Sequence, residues 1–488
     1  MNQVRIAGTF GGIAVAVFIL ASGCSSSSSG GPGSSADGGT GGGGALCYKS
    51  PVGTISGTNP DGSMGTLKTF TPPCDPGPNA FAYSISGEAN AIVGYAYPPY
   101  DLDTATYMID GWNWNIDRYI VVIDHITLWT NPNASPSNQQ MHGPAIAELN
   151  GPFVVDLHKG GPLDGKGGGG EQALPIGAML NQNLNGNAAF DPTQTYAFGF
   201  STVQATYNAI NVNLTADEAD DYAYMVKNGA SVYYHGTTTW AGNMAGGQMG
   251  FGLCSSDPTT DYNNGSQTCA VATTGGGGDG GTGGDDGGVA TCPSIYDFSK
   301  LPQTMSFQFA FPTPTNYVNC VNYSVSEIAG HDVRGVQTST SQSVINQVTV
   351  HMDHPFWESF EEDTPVHWNQ IAAQYIGQTN PVAHLEDFKG VPFSPFQDKN
   401  KVVMPWQWCE NTYTPPGEGP MSFDTLSVPI NPNGTCTGTI GEDYTKANCP
   451  AIRDYYDFIR YTQSTQGHLN SQGLCFIDRQ YPAPAGGS

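Results

Sequence analysis

Two glycine-rich tracts constrain the fold of this chain more than any other feature, because neither can join a hydrophobic core. Ser25–Ala45 is nearly all serine and glycine, and Thr273–Gly288 (TTGGGGDGGTGGDDGG) has the same character. Segments with so few apolar side chains cannot offset the entropy lost on ordering. The tracts predict a tether at 24–45, an N-terminal domain at 46–272, a linker at 273–290 and a C-terminal domain at 291–488. Each domain has roughly 200 residues, enough for its own core.

The composition favours turns and strands over long helices. The 488 residues include 64 glycines and 35 prolines, whereas charged residues make up only 12%. Glycine and proline interrupt regular elements and mark turns, so the elements between them are short. The sequence therefore predicts a mainly β fold with a few helices, arranged as two β-sandwich-like domains joined by the glycine-rich linker.

Hydrophobic patterns place strands in both predicted domains. The first domain has apolar or alternating runs at Tyr119–Ile123, Pro152–Leu157 and Tyr196–Phe200. In the second domain, Met305–Phe311 alternates strictly between apolar and other residues, and Ser343–Met352 follows as another strand. Alternation with a period of two is typical of a strand with one buried face.

Three helices are predicted from capping residues and periodicity. Thr215–Glu218 forms a T-x-x-E capping box, the following apolar residues share one helical face, and Gly229 supplies the stop. In the C-terminal domain, a helix is predicted to start with a Thr-Pro pair and to cover Thr364–Gly377. A second amphipathic helix begins near Pro450.

The first 23 residues predict export. A short apolar run, Ile13–Leu20, is followed by Ala21–Cys24, an ending that resembles the lipobox of bacterial lipoproteins. The apolar run is too short to span a membrane. We therefore expect 1–23 to be a lipoprotein signal peptide, Cys24 to be acylated, and the chain to be anchored at the outer membrane or cell surface. The alternative is an ordinary secretory signal with Cys24 in a disulfide.

The remaining cysteines are even in number and widely scattered, which in an exported chain is typical of disulfides. No C-x-x-C pair occurs, so zinc and redox motifs lack their usual spacing. The connectivity is open, with Cys254–Cys269 and Cys436–Cys449 as the simplest pairings. Four candidates fall in the first domain and six in the second: Cys47, Cys74, Cys254, Cys269, Cys292, Cys320, Cys409, Cys436, Cys449 and Cys475.

Charge and motifs exclude several classes of function. Sixteen basic against 42 acidic residues give a net charge of −26, which argues against binding nucleic acid. Gly160–Lys166 fits the P-loop pattern, but Gly167–Gly170 follows in place of the serine or threonine and helix that the pattern requires. Neither H-E-x-x-H nor G-x-S-x-G occurs. No catalytic residue is predicted, and the sequence favours a binding role over an enzymatic one.

Four histidines of the C-terminal domain are candidate ligands for zinc or copper. His351 lies in a predicted strand, and His354 lies at its end, before Pro355. His367 is predicted in the first turn of a helix, where the dipole favours the neutral ring that binds metal. His468 is the fourth candidate. The alternative is that all four are ordinary structural residues, since their spacing matches no known ligand pattern.

Aromatic residues support a different kind of binding. Trp357, Trp368, Trp406 and Trp408 lie close together in the sequence, with Tyr413 nearby. Exposed aromatic faces bind sugars or protein partners, although such residues are more often part of a core. The predicted function is a non-enzymatic binding or structural role of a cell-surface lipoprotein, with an extracellular protein or glycan as partner. The alternative is a zinc or copper protein with a histidine-rich site.

Six short segments of the sequence are distinctive: Ser86–Glu88, Gly94–Pro99, Asp110–Trp112, Val155–Leu163, Asp353–Ser359 and Gln463–Asn470. Together they resemble a group of exported lipoproteins of myxobacteria and relatives. The resemblance covers both predicted domains and implies export and lipid anchoring, but the group carries no assigned activity, so it implies no functional residues. The first domain also resembles the small β-sandwich domains of bacterial surface lipoproteins, at the level of fold alone.

Overall fold

The computed structural model describes eleven stretches of the chain. The predicted signal peptide, Cys24, the tether and the 273–290 linker lie outside the described residues. The described stretches are 48–49, 53–72, 76–96, 112–135, 140–168, 170–240, 301–357, 366–391, 408–409, 428–429 and 455–481.

The described chain is mainly β, which confirms the predicted class. The strands are β1 Ser56–Thr58, β2 Met64–Thr66, β3 Lys68–Thr69, β4 Phe81–Ser86, β5 Trp112–Thr130, β6 Ala145–Leu149, β7 Phe153–Asp156, β8 Leu163–Asp164, β9 Gln172–Met179, β10 Tyr196–Thr202, β11 Ile210–Asn211, β12 Val232–Trp240, β13 Thr304–Phe311, β14 Thr315–Val318, β15 Val344–Val350, β16 Val382–His384, β17 Trp408–Cys409, β18 Val428–Pro429, β19 Gly467–Leu469, β20 Gly473–Leu474 and β21 Phe476–Arg479. The α-helices are α1 Glu88–Val93, α2 Ala219–Lys227, α3 Tyr323–Ala329, α4 Asn369–Ala372 and α5 Tyr455–Gln463. Short 3-10 helices cover Leu157–Lys159, Ala216–Glu218, His354–Phe356, Ala373–Tyr375 and Leu385–Phe388.

Two large sheets organise these strands. The larger has eleven strands, and its main path runs β16-β13-β12-β5-β10-β14-β21, with the long β5 also pairing with β6 and β7. The second sheet has six strands in the order β20-β19-β15-β4-β9-β8. Within it, β15 lies parallel to β4 and antiparallel to β19. This second sheet positions the candidate site described below.

The structure does not divide into two independent β-sandwich-like domains at the glycine-rich linker. β12, before the linker, pairs along its length with β13, after it, and β4 pairs with β15 in the other sheet. Strands from the two predicted domains therefore share both large sheets. The prediction failed because a long connection between two paired strands costs little entropy, about 0.6 kcal/mol for each doubling of its length. Low-complexity composition thus marked a connection and not a domain boundary.

One hydrophobic core also joins the two parts of the chain. Trp114 stacks on Phe307 with ring centroids 5.0 Å apart, and it meets Trp368 edge-on at 5.1 Å. Trp368 is fully buried and Trp357 is 3% exposed, so these two tryptophans belong to the core and not to an exposed platform. Trp406, Tyr413 and the side chain of Trp408 lie outside the described residues.

The helix predictions were more accurate than the predicted domain boundary. The Thr215–Glu218 capping box is present, but it begins the 3-10 turn Ala216–Glu218 that leads into α2, and Gly229 follows the helix with φ +66°. The helix predicted for Thr364–Gly377 is shorter, because α4 begins at Asn369 and gives way to a 3-10 turn that ends at Tyr375.

Cys320 and Cys475 form a disulfide bond that closes a separation of 155 residues. Both cysteines come after the linker, as the predicted grouping requires. The side chains of the other eight candidates, including Cys254, Cys269, Cys436 and Cys449, lie outside the described residues. Among the described residues, no helix is long and apolar enough to cross a bilayer.

Candidate metal centre

Three of the four candidate histidines converge at one end of the six-stranded sheet. β15 pairs with β19 so that Thr349 lies opposite His468, and the backbone N–H of His351 donates to the carbonyl of Gln466 at 2.8 Å. This ladder brings His351 beside His468. The 3-10 turn that begins at His354 then folds the third ring back onto the other two.

The three rings form a compact, buried group, which we call the histidine cluster: His351, His354 and His468. One potential ligand atom from each ring lies within 4.8 Å of those from the other two. The rings of His351 and His468 stack with centroids 4.0 Å apart, and His354 meets each of them nearly edge-on. His351 is 5% exposed, and the other two are fully buried.

The hydrogen bonds of His354 determine which of its ring nitrogens carries the hydrogen. The hydroxyl of Thr465 donates its only hydrogen to the carbonyl of Thr462 at 2.7 Å. Nδ1 of His354 lies 2.5 Å from the same hydroxyl oxygen. Because the hydroxyl hydrogen is already used, Nδ1–H of His354 must be the donor in this hydrogen bond. In the neutral ring, Nε2 is then an unprotonated acceptor. It is fully buried, and no donor among the described residues reaches it.

Electrostatics keep the two fully buried rings neutral. Burial lowers the pKa of His354 well below its usual value, and positive charge on His351 or His468 would lower it further. The pKa of His468 falls in the same way, through burial and then the proximity of His351, against a weaker opposing effect of the Gln472 and Thr465 backbone. Neither ring nitrogen of His468 makes a well-formed hydrogen bond within the described structure. The neutral imidazole is the form that binds metal.

His351 connects the histidine cluster to two carboxylates. Its Nε2–H donates to the carbonyl of Ser471 at 3.2 Å, and Oε1 of Glu88 lies 3.5 Å from the same nitrogen. Glu88, His351 and Asp353 form a second group with ligand atoms within 4.8 Å of one another. A carbonyl or carboxylate behind a ligating imidazole is the usual outer support of a metal site, since it orients the ring.

A buried polar network supports the cluster from the sheet side. Nε2 of the Gln347 side-chain amide lies 2.9, 2.6 and 2.9 Å from side-chain oxygens of Ser86, Glu171 and Thr349, so its two N–H hydrogens are shared among three acceptors. The backbone N–H of Ser471 donates to Thr349 at 3.0 Å. Because Ser471 also accepts from His351, the network fixes the loop that orients this ring.

Two stacked tyrosines support the opposite side. The rings of Tyr119 on β5 and Tyr234 on β12 lie 4.6 Å apart, and both hydroxyls reach the side-chain oxygen of Gln466, at 3.3 and 2.8 Å. The Tyr119 hydroxyl also lies 3.3 Å from the carbonyl oxygen of His351. Burial, above all, raises the pKa of both tyrosines well above the usual range, so they remain neutral hydrogen-bond donors.

The fourth candidate, His367, is not part of the histidine cluster. It is buried, but it precedes α4 instead of lying in its first turn, and its backbone N–H donates to the carbonyl of Phe356 at 2.9 Å. Conversely, sequence reasoning did not name Glu88 or Thr465 as site residues. The only sequence signal for Glu88 was its place in the segment Ser86–Glu88, which implied no chemical role for this residue.

No protein-family model, no curated protein and no solved structure matches this chain. The resemblance to exported lipoproteins therefore stays a prediction, and the case for the site rests on its geometry.

The donor set fits zinc or copper. Imidazole nitrogens suit both ions, and bonds of about 2.0–2.1 Å place nitrogens on a tetrahedral ion about 3.3 Å apart. The potential ligand atoms lie within 4.8 Å of one another, so they must approach by at most about 1.5 Å to reach such a geometry. Three protein ligands leave one coordination position for a further group.

Proposed function

We propose that this protein is a metal-binding protein that holds one zinc or copper ion with His351, His354 and His468. The observation that carries the proposal is the Nε2 atom of His354, a buried acceptor whose hydrogen is held on the other nitrogen by Thr465. A buried polar atom left without a partner costs about 1–3 kcal/mol. A bound ion gives this lone pair its partner.

The remaining features of the cluster support the same function. The imidazoles of His351 and His468 each place a potential ligand atom within 4.8 Å of one on His354. The pKa values of the two fully buried rings, His354 and His468, are lowered. The ion would also link the turn after β15 to β19, two parts of the chain more than a hundred residues apart. Binding to the folded state alone stabilises it by about 2.7 kcal/mol when the free metal exceeds the Kd 100-fold.

We further propose that the protein acts outside the cytoplasm, anchored to the membrane by lipid on Cys24. Support comes from the signal-like sequence at 1–23 and from the Cys320–Cys475 disulfide, which suits an oxidising compartment. A non-enzymatic role at the cell surface stays a prediction. Burial of Trp357 and Trp368 removes two of the aromatic residues on which a glycan or protein platform would depend.

The direct test is elemental analysis of the full mature chain, purified without chelator and then loaded with Zn²⁺ or Cu²⁺. We expect one ion per wild-type chain and none in the His351→Ala, His354→Ala double variant. His331→Ala, which removes an exposed histidine, should keep the ion.

Because the double variant could misfold, a second variant, Thr465→Val, tests the site while leaving all three rings in place. Its zinc affinity should fall about 10- to 100-fold. Circular dichroism and thiol counting check that the fold and the disulfide are intact. A folded wild-type chain that takes up neither ion would overturn the proposal, and His351 would then be a partner of Glu88 in a metal-free ion pair.

A further inference from the structure

The carboxylates of Glu88 and Asp353, beside the histidine cluster, influence which ion the cluster binds. This inference rests on the proposed function. Glu88 and Asp353 group with His351, and the two groups of potential ligands share only this residue. Asp353 is 4% exposed, and its Oδ2 accepts a hydrogen bond from the indole of Trp357 at 3.0 Å. The carboxylates therefore lie next to the cluster without replacing any of its three imidazoles.

The position of Glu88 follows from strand pairing. β4 and β15 run parallel with Ser86 opposite Thr349, so the residues two places further on, Glu88 and His351, come side by side. Oε1 of Glu88 lies 3.5 Å from Nε2 of His351. The side chain of Glu88 is 19% exposed and that of His351 is 7% exposed, so Glu88 stands on the solvent side of the cluster.

The backbone at Glu88 is held in an uncommon conformation. Its φ is +64°, in the left-handed region that side chains other than Gly, Asn and Asp rarely adopt. A Cβ on the preceding Gly87 would come within 2.8–2.9 Å of Ala91, Leu157 and Tyr119, so the chain is packed tightly here. Such strain persists where surrounding structure imposes it, and it is frequent at ligand sites.

We propose that the site is built for a divalent ion, with Glu88 and Asp353 supplying the charges that balance it and Glu88 acting through His351. Three neutral imidazoles bring no charge, so a Zn²⁺ or Cu²⁺ ion bound by them alone would bury two uncompensated positive charges, which is costly. Two adjacent carboxylates balance a divalent ion. A monovalent ion leaves one negative charge in excess.

Glu88 is thus a positioning and charge-balancing residue. A carboxylate near the outer nitrogen of a ligating imidazole orients the ring and attracts the bound cation, and this attraction is twice as strong for a divalent ion as for a monovalent one. Because Glu88 is partly exposed and near the surface, replacing it with the isosteric Gln removes the charge while leaving the space filled.

Metal affinities of Glu88→Gln test this inference, with Zn²⁺ as the divalent probe and Ag⁺ as the monovalent probe. Silver needs no reductant, so the Cys320–Cys475 disulfide stays closed during titration. We expect Glu88→Gln to weaken Zn²⁺ binding about 10- to 100-fold and to change Ag⁺ binding by less than about threefold. Glu327→Gln removes the same charge from an exposed position on α3 and should change neither affinity.

The outcomes separate this inference from the proposed function. Equal weakening of Zn²⁺ and Ag⁺ binding, or unchanged Zn²⁺ binding, would overturn the role of Glu88 while the three-histidine site stands. A wild-type chain that binds neither ion would overturn the proposed function itself.

Discussion

Two neighbouring buried polar regions of the six-stranded sheet differ in how completely they are hydrogen-bonded. Around Gln347, the two N–H hydrogens of the side-chain amide are shared among three acceptors, and its oxygen accepts from the backbone N–H of Lys166 at 2.9 Å. None of the buried side-chain atoms of this network lacks a partner in the described structure. In the histidine cluster, by contrast, Nε2 of His354 has none.

This difference distinguishes a structural network from the metal site that we propose. Buried polar groups are nearly always satisfied in folded proteins, because each unsatisfied group forfeits its hydration without replacement. The Gln347 network meets this requirement with the chain's own atoms and therefore stabilises the fold. In the histidine cluster the chain's own atoms leave the lone pair of His354 Nε2 without a partner, and a metal ion is the electron-pair acceptor that three imidazoles favour.

The largest effect is expected from Gln347→Leu. This change removes the donor to the buried Glu171 carboxylate and to two hydroxyls, so we expect the free energy of unfolding to fall by about 3–5 kcal/mol. Denaturant unfolding measures the loss. At saturating Zn²⁺ the folded fraction should still hold one ion per chain, because Gln347 acts on His351 only through Thr349 and Ser471 and touches no ring of the cluster.

Gln337→Leu is the matched control, because this exposed glutamine donates to the carbonyl of Pro192 at the surface. Its effect should be within about 0.5 kcal/mol. If Gln347→Leu were to abolish metal binding while unfolding normally, the two regions would be one site and the contrast between them would be false.

An intermediate effect is expected from Thr465→Val, which removes the acceptor that holds the hydrogen of His354 on Nδ1. Without it, the ring is free to place its hydrogen on either nitrogen, so we expect zinc affinity to fall about 10- to 100-fold with a small change in unfolding free energy. Calorimetric titration with Zn²⁺ measures this change.

Thr462→Val serves as the control for Thr465→Val. The Thr462 hydroxyl donates to the carbonyl of Phe458 within α5, and its own carbonyl still accepts from Thr465 in the variant. Equal losses of affinity in both variants would mean that Thr465 acts through helix stability and not through the tautomer of His354.

The smallest expected effect is on the pH dependence of stability, and it comes from the Glu218 carboxylate, away from the cluster. Burial alone would raise the pKa of Glu218, but hydrogen bonds from Lys159 and Thr215 outweigh it and lower the pKa below its usual value. A carboxyl with a lowered folded-state pKa stabilises the protein above its unfolded pKa, and this stability is lost as the pH falls through the folded value.

Unfolding of the wild type and Glu218→Gln, compared from pH 7 down to pH 3, tests this expectation. The wild-type advantage should be at most about 1 kcal/mol, because Lys159 is partly exposed, and it should shrink as the pH falls. An advantage that grows toward low pH would contradict the assignment. Metal content at pH 7 should be the same in both proteins.

Much of the local structure was predictable from the sequence because its causes are local. Alternation identified β13, the Thr215 capping box identified the 3-10 turn that leads into α2, and short-range patterns identified α5. His351 and His354 lie only three residues apart and were named together as candidates. His367 was named for its position near a helix start, but the helix begins two residues later and the ring does not reach the cluster.

The sequence by itself determined the mainly β class, the helix α2 and the presence of candidate metal-binding histidines, since propensity and periodicity act over a few residues. Only the tertiary structure decided that strands on both sides of the linker share sheets, that His468 joins His351, and that Glu88 stands beside them. The physical reason is strand register. Pairing Thr349 with both Ser86 and His468 joins segments more than a hundred residues apart, and nothing in their local patterns encodes that partnership.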